Sequence, residues 1–311
     1  MPTAVLMSTY NGLRFLDAQI ASIMAQFDMG DQLIIRDDGS TDGTADYLRN
    51  LSDRRLTVVF GNNIGAGPSF LQLTCATPEN ADMIMFADQD DIWLPHKIAR
   101  ARSVLGERIG SEGRPALYCS RTRLVDMALN EVGLSANCPR GPSFENALVE
   151  NIAIGCTCAF NRAALRQITD YQNPGLIFFH DWWCYLIVSG FGEVLFDPEP
   201  TMLYRQHSAN VVGMSSGLAR YLTIFKFVRR HSLAQIIYDQ NFEFLQCHGA
   251  RLLPEKRQEI GQLFGKQNIK SALRLIVSTK WRRQSRAMEW IFRAYIAFDV
   301  AVRLKVWTTP R

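Results

Sequence analysis

The sequence predicts an α/β fold: a mostly parallel β-sheet flanked by helices, with a C-terminal helical extension. Three observations carry this reading. Apolar runs alternate with helically spaced segments through the N-terminal part, as βαβ crossovers require. The acidic and Gly/Ser/Thr-rich turns follow the apolar runs, at the sheet edge where ligands of open α/β folds bind. From residue 217 the chain reads as almost wholly helical.

Residues 4–7 are an apolar run ending in the polar turn STYNG, after which Leu16, Ile20, Ile23, Met24 and Phe27 recur at helical spacing. The pattern repeats when QLIIRDD closes in a turn of Asp, Gly, Ser and Thr and TADYLRNL follows as a helix. LTVVF is a third strand, and residues 68–75 are helical. MIMFADQDDIW is a fourth strand that stops at an acidic cluster; Pro95 stands where a helix starts, and residues 96–105 continue it. Beyond residue 116 the spacing is less regular. ALYCSRTRLV and CTCAF read as strands, HDWWCYLIVSGFG as a buried helix, and EVLFD and TMLYRQH as short strands.

The chain is 47% hydrophobic and 21% charged over 311 residues, enough for a substantial core and unlike disorder. Its seven cysteines show no C-x-x-C pair and no zinc-like spacing, so reduced thiols in the cytoplasm are expected. A secretory leader and a membrane-spanning run of about 18 apolar residues are both absent from the pattern. Charge is split: residues 1–216 carry a net −8 and residues 217–311 a net +12. This suggests an acidic catalytic body, 1–216, joined to a basic tail, 217–311, that meets an anionic partner.

The strongest chemical feature is Asp88-Gln89-Asp90-Asp91 after an apolar strand. Carboxylates packed so closely repel one another unless a cation neutralises them, and hard oxygen ligands suit Mg²⁺ or Mn²⁺. A solvated acidic loop capping the next helix is the alternative. Asp37 and Asp38 close the second strand, where a carboxylate can accept the ring N–H of a pyrimidine base and Tyr10 can offer it an aromatic face. Turn chemistry alone also explains DDGSTDG. Asp181 in HDWW stands where a helix N-cap would stand, in front of the apolar run WWCYL. For Trp182 an exposed aromatic platform and a core position are both open, and Gly155 before CTCAF reads as a plain strand-entry glycine.

In the order STYNG, DDGSTD, ADQDDIW, HDWW and YRQH, residues 3–212 resemble family 2 glycosyltransferases of the GT-A fold. The forms ADQDDIW, HDWW and YRQHSANVVG are most similar to bacterial rhamnosyltransferases that use dTDP-L-rhamnose. The resemblance implies an inverting, metal-dependent transfer of a sugar from a nucleotide diphosphate donor to a hydroxyl of a surface polysaccharide or lipid-linked glycan. It implies a nucleotide-sugar half at about 1–115 and an acceptor half at about 116–216. Ser8 and Tyr10 would lie along the base, Asp38 would bind its N–H, and Asp88 would sit near the ribose and the metal. Asp90 would hold Mn²⁺ or Mg²⁺ on the diphosphate, Asp181 would be the base, Arg205 would face the diphosphate, and His207 would be a further metal ligand. The sequence has His180 where many members have Glu, which leaves it either tuning the base or packing; the resemblance would also put Gly155 where members run the backbone close to the acceptor and Trp182 as a sugar platform there.

Rival readings are a UDP-hexose donor in the same family and a non-catalytic nucleotide-sugar-binding protein. A haloacid-dehalogenase-type phosphatase shares Asp-x-Asp but carries it on its first strand, and G-x-G-x-x-G is absent. No nucleic-acid partner is expected. In residues 286–307, Arg286, Glu289, Arg293, Asp299 and Arg303 fall in one helical arc, with Trp290, Ile291, Ala294, Tyr295 and Phe298 opposite. Residues 218–230 add a second apolar and basic segment. A tail of this kind fits docking on the inner face of the cytoplasmic membrane, packing on the catalytic body, or a homodimer interface.

Overall fold

Strands β1 (Thr3–Thr9), β2 (Gln32–Asp37), β3 (Leu56–Phe60) and β4 (Met83–Ala87) pair in parallel in the order β4-β1-β2-β3. The computed structural model describes residues 1–109, 113–207, 232–266 and 268–302. Helices α1 (Leu13–Met24), α2 (Thr44–Arg49) and α3 (Ala66–Cys75) make the crossovers. The pleat explains why the central strands are apolar throughout. Leu6, Ile34, Ile84 and Phe86 enter one core cluster, and Val5, Met7, Leu33, Ile35 and Met85 enter another, so successive residues feed opposite covered faces.

The chain continues through β5 (Ile92–Trp93), α4 (Lys97–Ile109), β6 (Ala116–Ser120), β7 (Arg123–Val125), β8 (Glu131–Leu134), α5 (Phe144–Ala147), β9 (Ala159–Asn161) and α6 (Arg162–Ile168). Helix α7 (His180–Phe191) and strands β10 (Glu193–Asp197) and β11 (Met202–Arg205) follow. The large sheet has seven strands in the order β10-β6-β9-β4-β1-β2-β3, with β9 antiparallel to both neighbours. A smaller sheet runs β5-β11-β7-β8. The fold class is as expected: a mostly parallel sheet flanked by helices, with helices at the C-terminal end.

Two local expectations need correction. ALYCSRTRLV is two strands, because the chain leaves the large sheet at Arg121 and Thr122 and enters the small one; the Thr122 N–H donates to Ser135 Oγ at 2.9 Å and the Arg121 guanidinium to the Ser135 carbonyl. CTCAF is a 3₁₀ turn, Gly155–Thr157, before a strand that starts only at Ala159. That turn brings Cys156 under the acidic loop.

Among the described residues the C-terminal region is helical: α8 (Leu233–His248), α9 (Pro254–Phe264), α10 (Ile269–Val277) and α11 (Arg286–Val302). Ile237, Phe244, Leu263, Phe292 and Ile296 belong to the same core cluster as Leu117, Phe160 and Trp183 of the α/β body. Asn241 Nδ2 donates to the Leu148 carbonyl at 2.9 Å across that junction. Residues 218–230, and the chain from Arg303 on, lie outside the described residues.

Candidate active site

The loop Asp88–Asp91 leaves the carboxyl end of β4 and is held from three sides. Gln19 of α1, fully buried, donates from Nε2 to the Asp88 carbonyl at 2.6 Å. Antiparallel pairing of β5 with β11 brings Arg205 and His207 onto the loop. The Arg205 backbone N–H donates to Asp91 Oδ1 at 3.1 Å and its Nε to the Asp90 carbonyl at 2.9 Å. His207 Nε2 lies 2.7 Å from Asp90 Oδ2, its ring stacked on Phe15 at 5.2 Å. The guanidinium of Arg205 sits over the same phenyl ring.

The cluster carries more negative charge than its surroundings neutralise. Burial, then the charges of Asp90 and Asp181, push Asp88 up to about 7. Asp91 is raised well above the usual carboxylate range by burial and by Asp90, and its Oδ2 is buried with no hydrogen-bond partner among the described residues. Below lies Lys97, fully buried, with Nζ on Thr201 Oγ1 at 3.2 Å and over the Trp93 ring at 4.8 Å. Burial lowers Lys97 to about 8.

Asp90 and His207 are in contact at 2.7 Å and Asp88 stands two residues earlier on the same loop; carboxylate and imidazole donors of this kind suit a hard divalent cation such as Mg²⁺ or Mn²⁺. Ligand atoms of Asp88, Asp91 and Cys156 also lie within 4.8 Å of one another. Burial holds the Cys156 thiol protonated, well above its ordinary pKa, which makes it a poor ligand for such an ion.

At the ends of β1 and β2 a second polar group forms. Asp37 is structural: it accepts from Thr9 Oγ1 at 3.0 Å and from both the N–H and the hydroxyl of Ser40. Asp38 accepts the backbone N–H groups of Ile64 at 2.9 Å and Gly65 at 2.8 Å, and its Oδ1 pairs with the buried Arg36. Arg36 also donates to Ser69 Oγ at 3.1 Å, which lies 2.6 Å from Ser8 Oγ. Ser8, Ser69, Arg36 and Asp38 are therefore one connected network. Tyr10 is 46% exposed beside it, and its backbone N–H and carbonyl are both bonded to the Gln89 side chain at 2.9 and 3.0 Å. Sequence reasoning passed over Arg36 and Gln89. The signal for Arg36 was present, as a lone charge inside the apolar run QLIIRD.

Asp181 stands in the first turn of α7. Its Oδ2 accepts the Gly155 N–H at 2.9 Å and its Oδ1 the Trp182 N–H at 2.7 Å. Burial raises it to about 6 against these N–H donors, which pull it down. Gly155 thus braces this carboxylate; a Cβ added there would lie 3.0 Å from His180 Nε2 and 3.4 Å from Asp181 Oδ2. Gly155 opens a 3₁₀ turn, which corrects the strand-entry alternative. His180 packs: its ring stacks on Phe70 at 4.0 Å and meets Phe86 edge-on at 4.9 Å, and burial lowers it to about 3, so it is neutral. Trp182 is 4% exposed and donates Nε1–H to the Ala147 carbonyl at 2.6 Å, so the core position, not the sugar platform, is the one it takes.

Residues 4–169, just over half of the chain, match the family model for Glycosyl transferase family 2. The dTDP-rhamnosyl transferase RfbG of Shigella flexneri is 32% identical over 226 residues, which is 67% of this chain and 73% of that protein. Solved structures share the fold. TarS 1–349 of S. aureus in complex with UDP-GlcNAc superposes with a TM-score of 0.61 at 15% identity, over 86% of this chain and 72% of that one. The mannosyltransferase PcManGT of Pyrobaculum calidifontis, in complex with GDP-Man and Mn²⁺, superposes at 0.51 and 13% identity, over 96% and 86% of the two chains. With the family model across most of its α/β body and RfbG alike over two thirds of its length, this chain belongs to glycosyltransferase family 2, as an enzyme of the GT-A fold.

Proposed function

We propose that the enzyme transfers L-rhamnose from dTDP-L-rhamnose, with inversion, to a hydroxyl of a growing surface polysaccharide or lipid-linked glycan. The observation that supports this chemistry is the division of labour among its carboxylates. Asp90 is in contact with His207 and its charge reaches Asp88, which supports reading the three as a cation-binding group, while Asp181, whose charge also reaches Asp88, is braced by two N–H donors.

In this reading Asp181 takes the proton of the acceptor hydroxyl as that oxygen bonds the anomeric carbon from the face opposite the nucleotide. The bond from that carbon to the diphosphate oxygen breaks, and the nucleotide diphosphate leaves with the electron pair. A divalent ion on Asp88, Asp90 and His207 would stabilise the charge gathering on the diphosphate. Arg205, anchored on the Asp90 carbonyl, adds a fixed cation to that side. Asp38 would accept the base N–H with Ser8 and Tyr10 alongside, its carboxylate fixed in place by Arg36.

The donor follows from the likeness of ADQDDIW and YRQHSANVV to rhamnosyltransferases and from the relative that carries that activity in its name. A UDP-hexose donor is the alternative in the same family, and a non-catalytic nucleotide-sugar binder the alternative outside it. The basic C-terminal part favours an enzyme placed peripherally on the cytoplasmic face of an anionic membrane, where lipid-linked acceptors lie.

A thermal-shift panel of nucleotide sugars with and without Mn²⁺ tests the reading. Stabilisation at 100 times the dissociation constant is about 2.7 kcal/mol, so the preferred donor is readily seen. dTDP-L-rhamnose should give the largest shift, and Asp90→Asn should lose the Mn²⁺-dependent part. A shift indifferent to Mn²⁺, or larger for UDP-glucose, contradicts the proposal.

A further inference from the structure

Helix α11 presents its apolar side to the surface. At 100° per residue, Ala287, Trp290, Ile291, Ala294, Ala297 and Phe298 fall within an arc of about 120°, and all six are exposed. Trp290 is 73% and Phe298 66% exposed. Along this face from residue 287 to residue 298 no exposed side chain is charged. The helix is anchored by the opposite side, where Met288, Phe292 and Ile296 enter the core.

Beyond Arg286 at its start, the charged residues of the helix are turned inward. Asp299 is buried, and Glu289 is paired with Arg293 at 2.7 Å. Glu289 also accepts the Arg283 N–H, and the Arg293 guanidinium donates to the carbonyls of Ile276 and Ser278 at the end of α10. Half-buried charges satisfied by the protein fix the rotation of the helix, since turning Trp290 and Phe298 inward would strip these groups of their partners. The apolar face is therefore held out, and packing of that face on the catalytic body does not occur in the described residues.

The surroundings say what covers it. Residues 260–288 hold seven Lys and Arg and no Asp or Glu. Lys266, Lys270, Arg274, Lys280, Arg282 and Arg286 among them are exposed. Leu273 and Val277 of α10, 51% and 71% exposed, add apolar surface between these cations. No helix among the described residues is long and apolar enough to cross a membrane. An apolar stripe carrying Trp and Phe, beside an unbroken run of positive charge, suits the boundary between headgroups and acyl chains of an anionic bilayer.

We propose that the outward face of α11, centred on Trp290 and Phe298, is the surface by which the protein docks on anionic lipid. This rests on the membrane placement proposed above and names the element that makes it.

The test is flotation of the full chain with vesicles of phosphatidylglycerol and phosphatidylcholine, or of phosphatidylcholine alone, without donor or metal, so that its outcome is independent of the transferase reading. The wild type should float with the anionic vesicles, and less so at high salt. Trp290→Ser with Phe298→Ser should bind at least about tenfold more weakly while keeping the wild-type melting temperature. A second variant, Lys270→Gln with Arg274→Gln, should lose anionic selectivity and leave the apolar face intact. Wild-type protein that stays with neither vesicle at low salt, or a serine double variant that floats as well as the wild type, overturns the proposal. So does a wild-type dimer in sedimentation that the serine variant dissociates without any vesicle binding, which would assign the face to a second copy.

Discussion

At the scale of single residues the account depends on Asp181. As the proposed base it would work as the carboxylate, and burial raises its pKa to about 6. The sign follows directly: kcat/KM should be level above about pH 7 and fall tenfold per pH unit below about 6, as the base is protonated. Asp181→Asn should lower kcat about 10²–10⁴-fold and remove that acid limb, while donor affinity stays near wild type, because the base meets the acceptor rather than the nucleotide. A variant that loses donor binding but keeps its turnover at saturation would show that Asp181 serves the donor side. His180 is no rival for the role. Its Nε2 is buried without a partner among the described residues, and the ring is neutral and stacked between phenyl groups.

At the scale of elements, function is assembled where separate segments meet, and that is where the sequence was least legible. Gly155 shows why. Its part in the site is a backbone N–H given to Asp181, 26 residues away, and nothing in CTCAF marks it. Gly155→Ala should press a Cβ on His180 and Asp181, displace the base by a few tenths of an ångström, and lower kcat about tenfold without changing donor affinity. Unchanged kcat would mean that the turn yields and does not brace the base. The parallel core strands could be read from their apolar runs because both faces are covered. β8 and α5 could not, since an exposed four-residue strand and a four-residue helix carry too little periodicity to register. The motif loops were legible as clusters of side chains. What the sequence does not encode locally is the connection between them: Gln89 bonded to Tyr10, Arg36 to Asp38 and Ser69, and Arg205 to Asp90 and Asp91. Trp182 illustrates the same limit, because a tryptophan two residues into a helix reads alike whether it faces the cleft or Ala147.

At the scale of the whole molecule, an acidic α/β body and a basic helical end share one apolar core while carrying opposite charge outward. In the proposed reading that division of charge would favour a cation at the acidic loop and anionic lipid at the basic end. The helices of the C-terminal part are therefore structural partners of the sheet, and large deletions after residue 217 would remove core residues such as Phe244 and Phe264. The central claim concerns the cleft, and it is tested most directly by competition among donors. The wild-type enzyme is given equal concentrations of dTDP-L-rhamnose, UDP-glucose, UDP-galactose and GDP-mannose with Mn²⁺, and the nucleotide diphosphates released are separated and measured. The account predicts that dTDP is the main product and that its release stops in excess chelator; release of UDP or GDP in preference, or dTDP release that persists without a divalent ion, would contradict it.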